Sequence, residues 1–318
     1  MNDVVALGEI LIDFAQTKVD ENGYPTLTAN PGGAPANFLT PIAKYGLKAA
    51  MIGKVGNDTF GKLLLKTLKQ NHINTKGVIV DNNVFTTLAF VTLNNKGDRS
   101  FAFARKPGAD TMLKYKEIDL SLIDNTKVFH FGTLSLTNNP SKNTTYKLVD
   151  YAKRKNKLIS FDPNLRKPLW NNLEDAKKQI NYGLTQADIV KISDEEVYFM
   201  FKVKPQKAIN YILNKYPNIK LLYVTCGAEG CYYATRKHQG FIPALKNIKV
   251  IDTTGAGDIF GGSAMYKFIK LNKDISDLSD EDLKNIVNFA TISAGLSTTK
   301  LGGISSVENK IKIESYVL

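Results

Sequence analysis

The chain has 318 residues, 43% of them hydrophobic, enough to bury one large α/β core. Forty-two Lys and Arg against 30 Asp and Glu give a formal charge of +12, but only five of those basic residues are arginine, and the lysines are spread over predicted helical surfaces, which argues against a nucleic-acid partner. Two cysteines and three scattered histidines fit reduced thiols better than a metal centre, and Met1-Asn2-Asp3 leads straight into an apolar run too short to cross a membrane, so the expectation is a cytosolic protein with no membrane partner.

In chain order, Val4 to Asp13 opens as a continuous apolar run, the pattern of a buried parallel strand. Asp13 falls at its carboxyl end, where ligands collect in open α/β sheets, although a turn-initiating aspartate would look the same. After a polar stretch with a turn at Glu21-Asn22-Gly23-Tyr24-Pro25 comes Asn30-Pro31-Gly32-Gly33-Ala34-Pro35-Ala36-Asn37. Its double glycine permits close backbone approach to a small ligand, Pro35 suits a first helical turn, and Asn37 offers both a donor and an acceptor. Pro41 falls inside the helix that follows and predicts a kink or a short first segment. Lys48 to Val55 reads as a strand, and Thr59 to Gln70 as an amphipathic helix with Phe60, Leu63, Leu64, Leu65 and Leu68 inward. Thr87–Leu93 and Arg99–Ala104 flank Asn94-Asn95-Lys96-Gly97-Asp98, a hairpin whose antiparallel strands predict a separate small sheet.

Val128 to Leu134 is a buried strand in which His130 reads as a core histidine. Leu158 to Phe161 runs into Asp162-Pro163-Asn164-Leu165-Arg166, where Pro163 stops the strand and Arg166 offers a planar fork to phosphate, to carboxylate or to a surface ion pair. Asp188–Ile192 is the next strand, and Ser193-Asp194-Glu195-Glu196 has the form of a capping box. Leu221–Thr225 feeds a glycine turn at Gly227 and Gly230. Ile248–Ile251 reads as a last strand, followed by Asp252-Thr253-Thr254-Gly255-Ala256-Gly257-Asp258, a tight turn with a helix beginning near Gly257. Gly255 and Gly257 let successive N–H groups converge on an anion at the positive end of that helix. The dipole favours a carboxylate such as Asp258 there in any protein. Beside an anion nest, however, it would repel the ligand unless it accepts a proton, and we read it as a base. The spacing is not a Walker A loop, for no lysine follows the second glycine, and it is not a dinucleotide fingerprint. Asp280 to Ser297 is a long helix, and Ser297 to Ser306 a loop of small residues. The alternation predicts an α/β fold, a mainly parallel sheet with helices on both faces, plus a small β lid.

Gly255-Ala256-Gly257-Asp258 resembles the signature of the ribokinase, or pfkB-type, carbohydrate kinases. Gly32 to Asn37, with Gly46, Gly53, Gly56, Asp58 and Gly61, resembles the N-terminal signature of the same family. Phe103 to Asp110 and Asp162 to Trp170 are similar to runs found in its fructokinases in particular. The likeness spans nearly the whole chain and implies a single ribokinase-like α/β domain over 1–318, its lid formed by segments about 14–30 and 86–106. It further implies an ATP- and Mg2+-dependent kinase making fructose 6-phosphate from fructose. Asp258 would be the general base and the N–H groups of Gly255, Ala256, Gly257 and Asp258 the anion hole. Asp13, Gly32, Gly33, Asn37 and Arg166 would hold the sugar, with Phe101, Phe103 and Arg105 closing over it. Lys191, Ser193, Thr225, Gly227, Gly230 and Asn288 would approach ATP. Glu196 would lie in the magnesium region, although Ser193 stands where the family usually has Asn. Carbonyls around Asp252, Thr254 and the Ser297–Ser306 loop would enclose a monovalent cation such as K+. A 2-keto-3-deoxygluconate kinase would share every phosphate-site residue, and a non-catalytic sugar or nucleotide sensor would have no need of Asp258. An exposed lid edge could pair across a homodimer.

Overall fold

The computed structural model describes residues 1–93 and 99–316. Its strands are β1 (Val4–Leu7), β2 (Leu11–Val19), β3 (Pro25–Gly32), β4 (Ala49–Gly56), β5 (Ile73–Asp81), β6 (Leu88–Leu93), β7 (Arg99–Ala104), β8 (Val128–Gly132), β9 (Leu158–Asp162), β10 (Ile189–Ser193), β11 (Leu221–Thr225), β12 (Gly230–Ala234) and β13 (Gln239–Pro243). The α-helices are α1 (Ala34–Lys44), α2 (Thr59–Gln70), α3 (Ser121–Asp124), α4 (Ser141–Arg154), α5 (Leu173–Gln186), α6 (Asp194–Phe201), α7 (Pro205–Lys215), α8 (Ala256–Leu271), α9 (Asp280–Ser297) and α10 (Lys310–Glu314). The expected hairpin turn at 94–98 and the Phe101 side chain lie outside what the structure describes.

A nine-stranded sheet has the order β13-β12-β11-β10-β9-β8-β1-β4-β5, parallel from β11 to β5, with β12 and β13 added antiparallel at one edge. Near-continuous apolar strands suit a sheet covered on both faces. In β1, Val5 and Leu7 face a core built with α3 to α7, while Val4 and Ala6 face the core under α1, α2, α8 and α9. A second, four-stranded sheet, β3-β2-β6-β7, pairs β2 with β6 in parallel and its outer pairs antiparallel.

Three sequence expectations change. The apolar run from Val4 does not reach Asp13 as one strand: it breaks at Gly8-Glu9-Ile10, and the chain crosses from the large sheet to the small one. Gly8, at φ 156°, makes the crossing where a Cβ would come within 2.6 Å of Pro35 Cγ, so Asp13 lies in β2 of the small sheet. Ile248–Ile251 forms no strand; Val250 and Ile251 are exposed, and the Ile251 N–H donates to the Thr298 carbonyl at 2.7 Å. Finally, α1 runs through Pro41 as one element. Its first segment is not cut short, because the proline ring packs where Gly262 of α8 leaves room; a Cβ there would meet Pro41 Cγ at 2.7 Å.

Candidate active site

The carboxyl ends of the central strands and the N-terminus of α8 meet beneath the small sheet in an open cleft of about 620 Å³. From the expected set, the cleft is lined by Asp13, Gly33, Asn37, Phe103, Arg166, Asp252, Thr254, Gly255 and Asp258. Gly255 caps α8 at φ 74°, ψ 0°, the left-handed region that favours glycine. A Cβ on it would lie 2.9 Å from Asn37 Nδ2 and 3.0 Å from Gly303 Cα. Ala256 and Gly257 complete the first turn. Among the described residues the N–H groups of Gly257 and Asp258 have no acceptor, which leaves them pointing along the positive end of the helix.

Asp258 is only 6% exposed, and its carboxylate is held by two amides. Asn37 Nδ2 donates to Oδ2 at 3.0 Å, and Asn164 Nδ2 donates to Oδ1 at 2.6 Å. Burial pushes its pKa above the ordinary carboxylate range, against the pull of Lys191 and the two amide donors. Asn37 Oδ1 is buried without a partner among the described residues, an acceptor left over at the cleft wall. Asp13 is raised to about 6, chiefly by burial, with Arg166 acting to lower it. Gly32 lies against it, since any side chain there would overlap Asp13 Oδ2. The Arg166 carbonyl accepts from the Leu169 N–H, but its guanidinium makes no hydrogen bond or ion pair among the described residues and lines the cleft, available to a ligand.

Asp252 ties the leading loop of α8 together. Its Oδ1 accepts from the Thr254 N–H at 2.9 Å and hydroxyl at 2.7 Å, and its Oδ2 from the Gly302 N–H at 2.9 Å. Ser193 and Thr225 pair in register at the ends of β10 and β11. Gly227 and Gly230 take positive φ in the next turn, and Asn288 is half-buried on α9. None of these five lines the cleft. Ser193 and Glu196 form the expected capping box, and Glu196 Oε1 also accepts from the Leu165 N–H at 2.7 Å. Lys191 lies below α8, its ammonium 3.1 Å from Asp162 Oδ2 and 2.9 Å from where a Cβ of Gly257 would sit. Burial acts to lower its pKa, yet Asp162, Glu196 and Asp258 hold it above the ordinary ammonium range.

Arg105 does not line the cleft. Its Nε and Nη2 grip Asp110 Oδ2 at 2.8 and 2.6 Å, Nη1 donates to Thr137 Oγ1, and Nη2 also reaches the Leu134 carbonyl, all in the interior. His130 is a core residue as expected: it stacks on Phe38 at 3.7 Å, bonds Ser160 through Nδ1, and burial drops its pKa to about 3. Sequence reasoning missed Asn164, although it lies in the quoted Asp162–Trp170 run; the signal was an Asn beside a proline, able to take the left-handed φ of 46° that aims its amide. It also missed Glu9, buried in the chain crossing with Oε1 on the Ala34 N–H at 2.9 Å. Both cysteines are free and buried. Among the described residues no group of three His, Cys, Asp or Glu could hold a metal ion, and no helix is long and apolar enough to cross a membrane.

Asp258 lies buried at a glycine-led helix N-terminus, facing a cleft roofed by a small sheet, and by fold the chain is a ribokinase-like carbohydrate kinase. Residues 1–310 match the family model described as pfkB family carbohydrate kinase, so the chain belongs to that family and is a sugar kinase. It is 39% identical over 317 residues to probable fructokinase-3 of Arabidopsis thaliana, covering 99% of this chain and 91% of that one. It is 40% identical over 310 residues to fructokinase-2 of Solanum lycopersicum, covering 96% and 92%. Among solved structures it superposes on Xylella fastidiosa fructokinase with bound ATP at TM-score 0.91 and 27% identity, covering 100% and 98% of the two chains. The corresponding figures for Vibrio cholerae O395 fructokinase with fructose, ADP and potassium, a double mutant, are 0.87, 28%, 100% and 99%.

Proposed function

We propose that the protein transfers the γ-phosphoryl group of ATP to the primary hydroxyl of fructose, giving fructose 6-phosphate and ADP. The observation that carries this is Asp258, a buried carboxylate with raised pKa, held by two neutral amides and facing the cleft. A carboxylate in that state is a stronger base than one in water, and the hydroxyl proton passes to it as the oxygen attacks phosphorus. The unpaired N–H groups at the start of α8 receive the charge on the transferred group. Asp13, Asn37 Oδ1 and Arg166 orient the sugar from the facing walls. A magnesium ion would supply charge neutralisation for the phosphates, and Glu196 is the acid that would lie nearest that region. Lys191, Ser193, Thr225, Gly227, Gly230 and Asn288 belong to the nucleotide side.

Fructose is favoured over 2-keto-3-deoxygluconate because Arg105, which could have met a substrate carboxylate, is spent on Asp110. The sugar end of the cleft presents the carboxylate of Asp13 instead, suited to accept from hydroxyls. ADP release with ATP and magnesium, measured across fructose, 2-keto-3-deoxygluconate, ribose, glucose and adenosine, tests this. Turnover should be fastest on fructose, and Asp258→Asn should lower it by roughly a hundredfold or more. Near-normal turnover of that variant removes the base; preference for the keto acid removes the sugar assignment. A potassium site between the Asp252–Thr254 loop and the 297–306 loop belongs to the same reading. Turnover unchanged when potassium is replaced by a large organic cation removes it.

A further inference from the structure

We propose that Glu9 is a positioning residue for the phosphoryl transfer: by pinning the first turn of α1 at Ala34, it sets the Asn37 amide that holds Asp258. This rests on Asp258 being the base. Glu9 lies in the three-residue crossing between β1 and β2, and Ala34 opens α1 just after β3 ends, so the contact joins two of the four places where the chain passes between its sheets. The segments interlock at three points. Glu9 Oε1 accepts the Ala34 N–H at 2.9 Å. A Cβ on Gly33, whose φ is 111°, would come within 2.5 Å of the Glu9 carbonyl oxygen, and one on Gly8 within 2.6 Å of Pro35 Cγ. The α1 start thus has room for nothing larger than hydrogen on either side.

From Ala34 the path to the base is one helical turn. The Asn37 N–H bonds the Gly33 carbonyl at 3.0 Å, and Asn37 Nδ2 donates to Asp258 Oδ2 at 3.0 Å. Behind them, Glu9, Asp162, Asn164 and Asp258 enclose an internal cavity of about 10 Å³, room for one water at most. So little slack means that a shift of the α1 start is felt at the carboxylate. Glu9 makes no ion pair among the described residues, and burial raises its pKa to about 7. Positioning requires only the acceptor oxygen, which makes the proposal separable from a role for the charge.

The test compares Glu9→Gln, which keeps an acceptor for Ala34, with Glu9→Met, which keeps the bulk and loses it. Glu9→Met should lower kcat by about tenfold or more with a smaller change in the fructose KM, while Glu9→Gln stays within about threefold of the parent. Adding Glu9→Met to Asn37→Ala should cost nothing beyond Asn37→Ala alone, because both act through one amide. Thermal unfolding and ATP binding of each variant establish that it is folded; if Glu9→Met is not, Glu9→Asp, too short to reach Ala34, replaces it. Equal damage from Gln and Met overturns the proposal in favour of a need for the charge, and multiplicative losses with Asn37→Ala overturn it in favour of an independent role. An active Asp258→Asn protein would remove the base reading itself; an inactive one beside a fully active Glu9→Met removes only the role of Glu9.

Discussion

Removing Asn164 should cripple the base without touching the substrate or the fold. Its amide donates to Asp258 Oδ1 at 2.6 Å in the interior. A hydrogen bond to an ionised group contributes about 1.5–3 kcal/mol, and losing it leaves about 10- to 150-fold less of the ionised carboxylate at a pH below the pKa of both parent and variant. Because Asn164 has φ 46°, alanine would add left-handed strain of about 1–2 kcal/mol. Asn164→Gly removes the amide without that strain. The lost donor stabilised the carboxylate, so the pKa of Asp258 rises further above the carboxylate range. Only the ionised form accepts a proton. The acid limb of kcat must therefore move to higher pH, with the deficit largest at low pH and shrinking as pH rises. The assay is kcat at saturating fructose and ATP from about pH 5.5 to 9, parent against variant. A deficit uniform in pH, or a limb that does not move, would refute Asp258 as the titrating base.

Gly255→Ala should combine backbone strain of about 1–2 kcal/mol at φ 74° with displacement of Asn37 Nδ2, which lies 2.9 Å from the new Cβ. The expected result is turnover lowered by about tenfold or more with a small fall in melting temperature, read by steady-state kinetics and thermal denaturation. His130, buried neutral with its pKa dropped to about 3 from 6.5, binds a proton only on unfolding between those values. Its contribution is complete above pH 6.5 and is lost as pH falls toward 3, at no more than about 1.4 kcal/mol per pH unit. Denaturant titrations over that window should show His130→Gln with a shallower decline than the parent.

The helices that were legible carry their own punctuation. Asp58 caps α2 by accepting from the Gly61 N–H at 2.8 Å, and Ser193 and Ser279 cap α6 and α9, so an end is written in a few adjacent residues. Strand boundaries are different. Val4 to Asp13 is apolar throughout its first part whether it serves one sheet or two, because both sheets bury it, and only the contact of Gly8 with Pro35 settles where it breaks. Ile248–Ile251 failed for the converse reason: Ile251 lines the cleft, and apolar residues that face a ligand site read in sequence like residues of a core.

The site shows the same division between near and distant partners. The turn that opens α8 was legible because its signal lies within a few consecutive residues, Gly255 taking the left-handed conformation that starts the helix. What surrounds Asp258 was not, since Asn37 and Asn164 lie 221 and 94 residues from it in sequence and meet it only through the sheet order. Arg105 shows the cost of reading a charge without its partner. As a lone arginine at the end of a lid strand it invites a substrate, yet Asp110 five residues on satisfies it in the interior, together with Thr137 and Leu134. A buried arginine bonded at Nε, Nη1 and Nη2 has little left to offer a ligand, and pulling it free would strand the Asp110 carboxylate without its cation. Its better-supported work is to tie the root of β7 to the segments around Asp110 and Leu134, and this is why the specificity argument turns on the carboxylate of Asp13 and on Arg166.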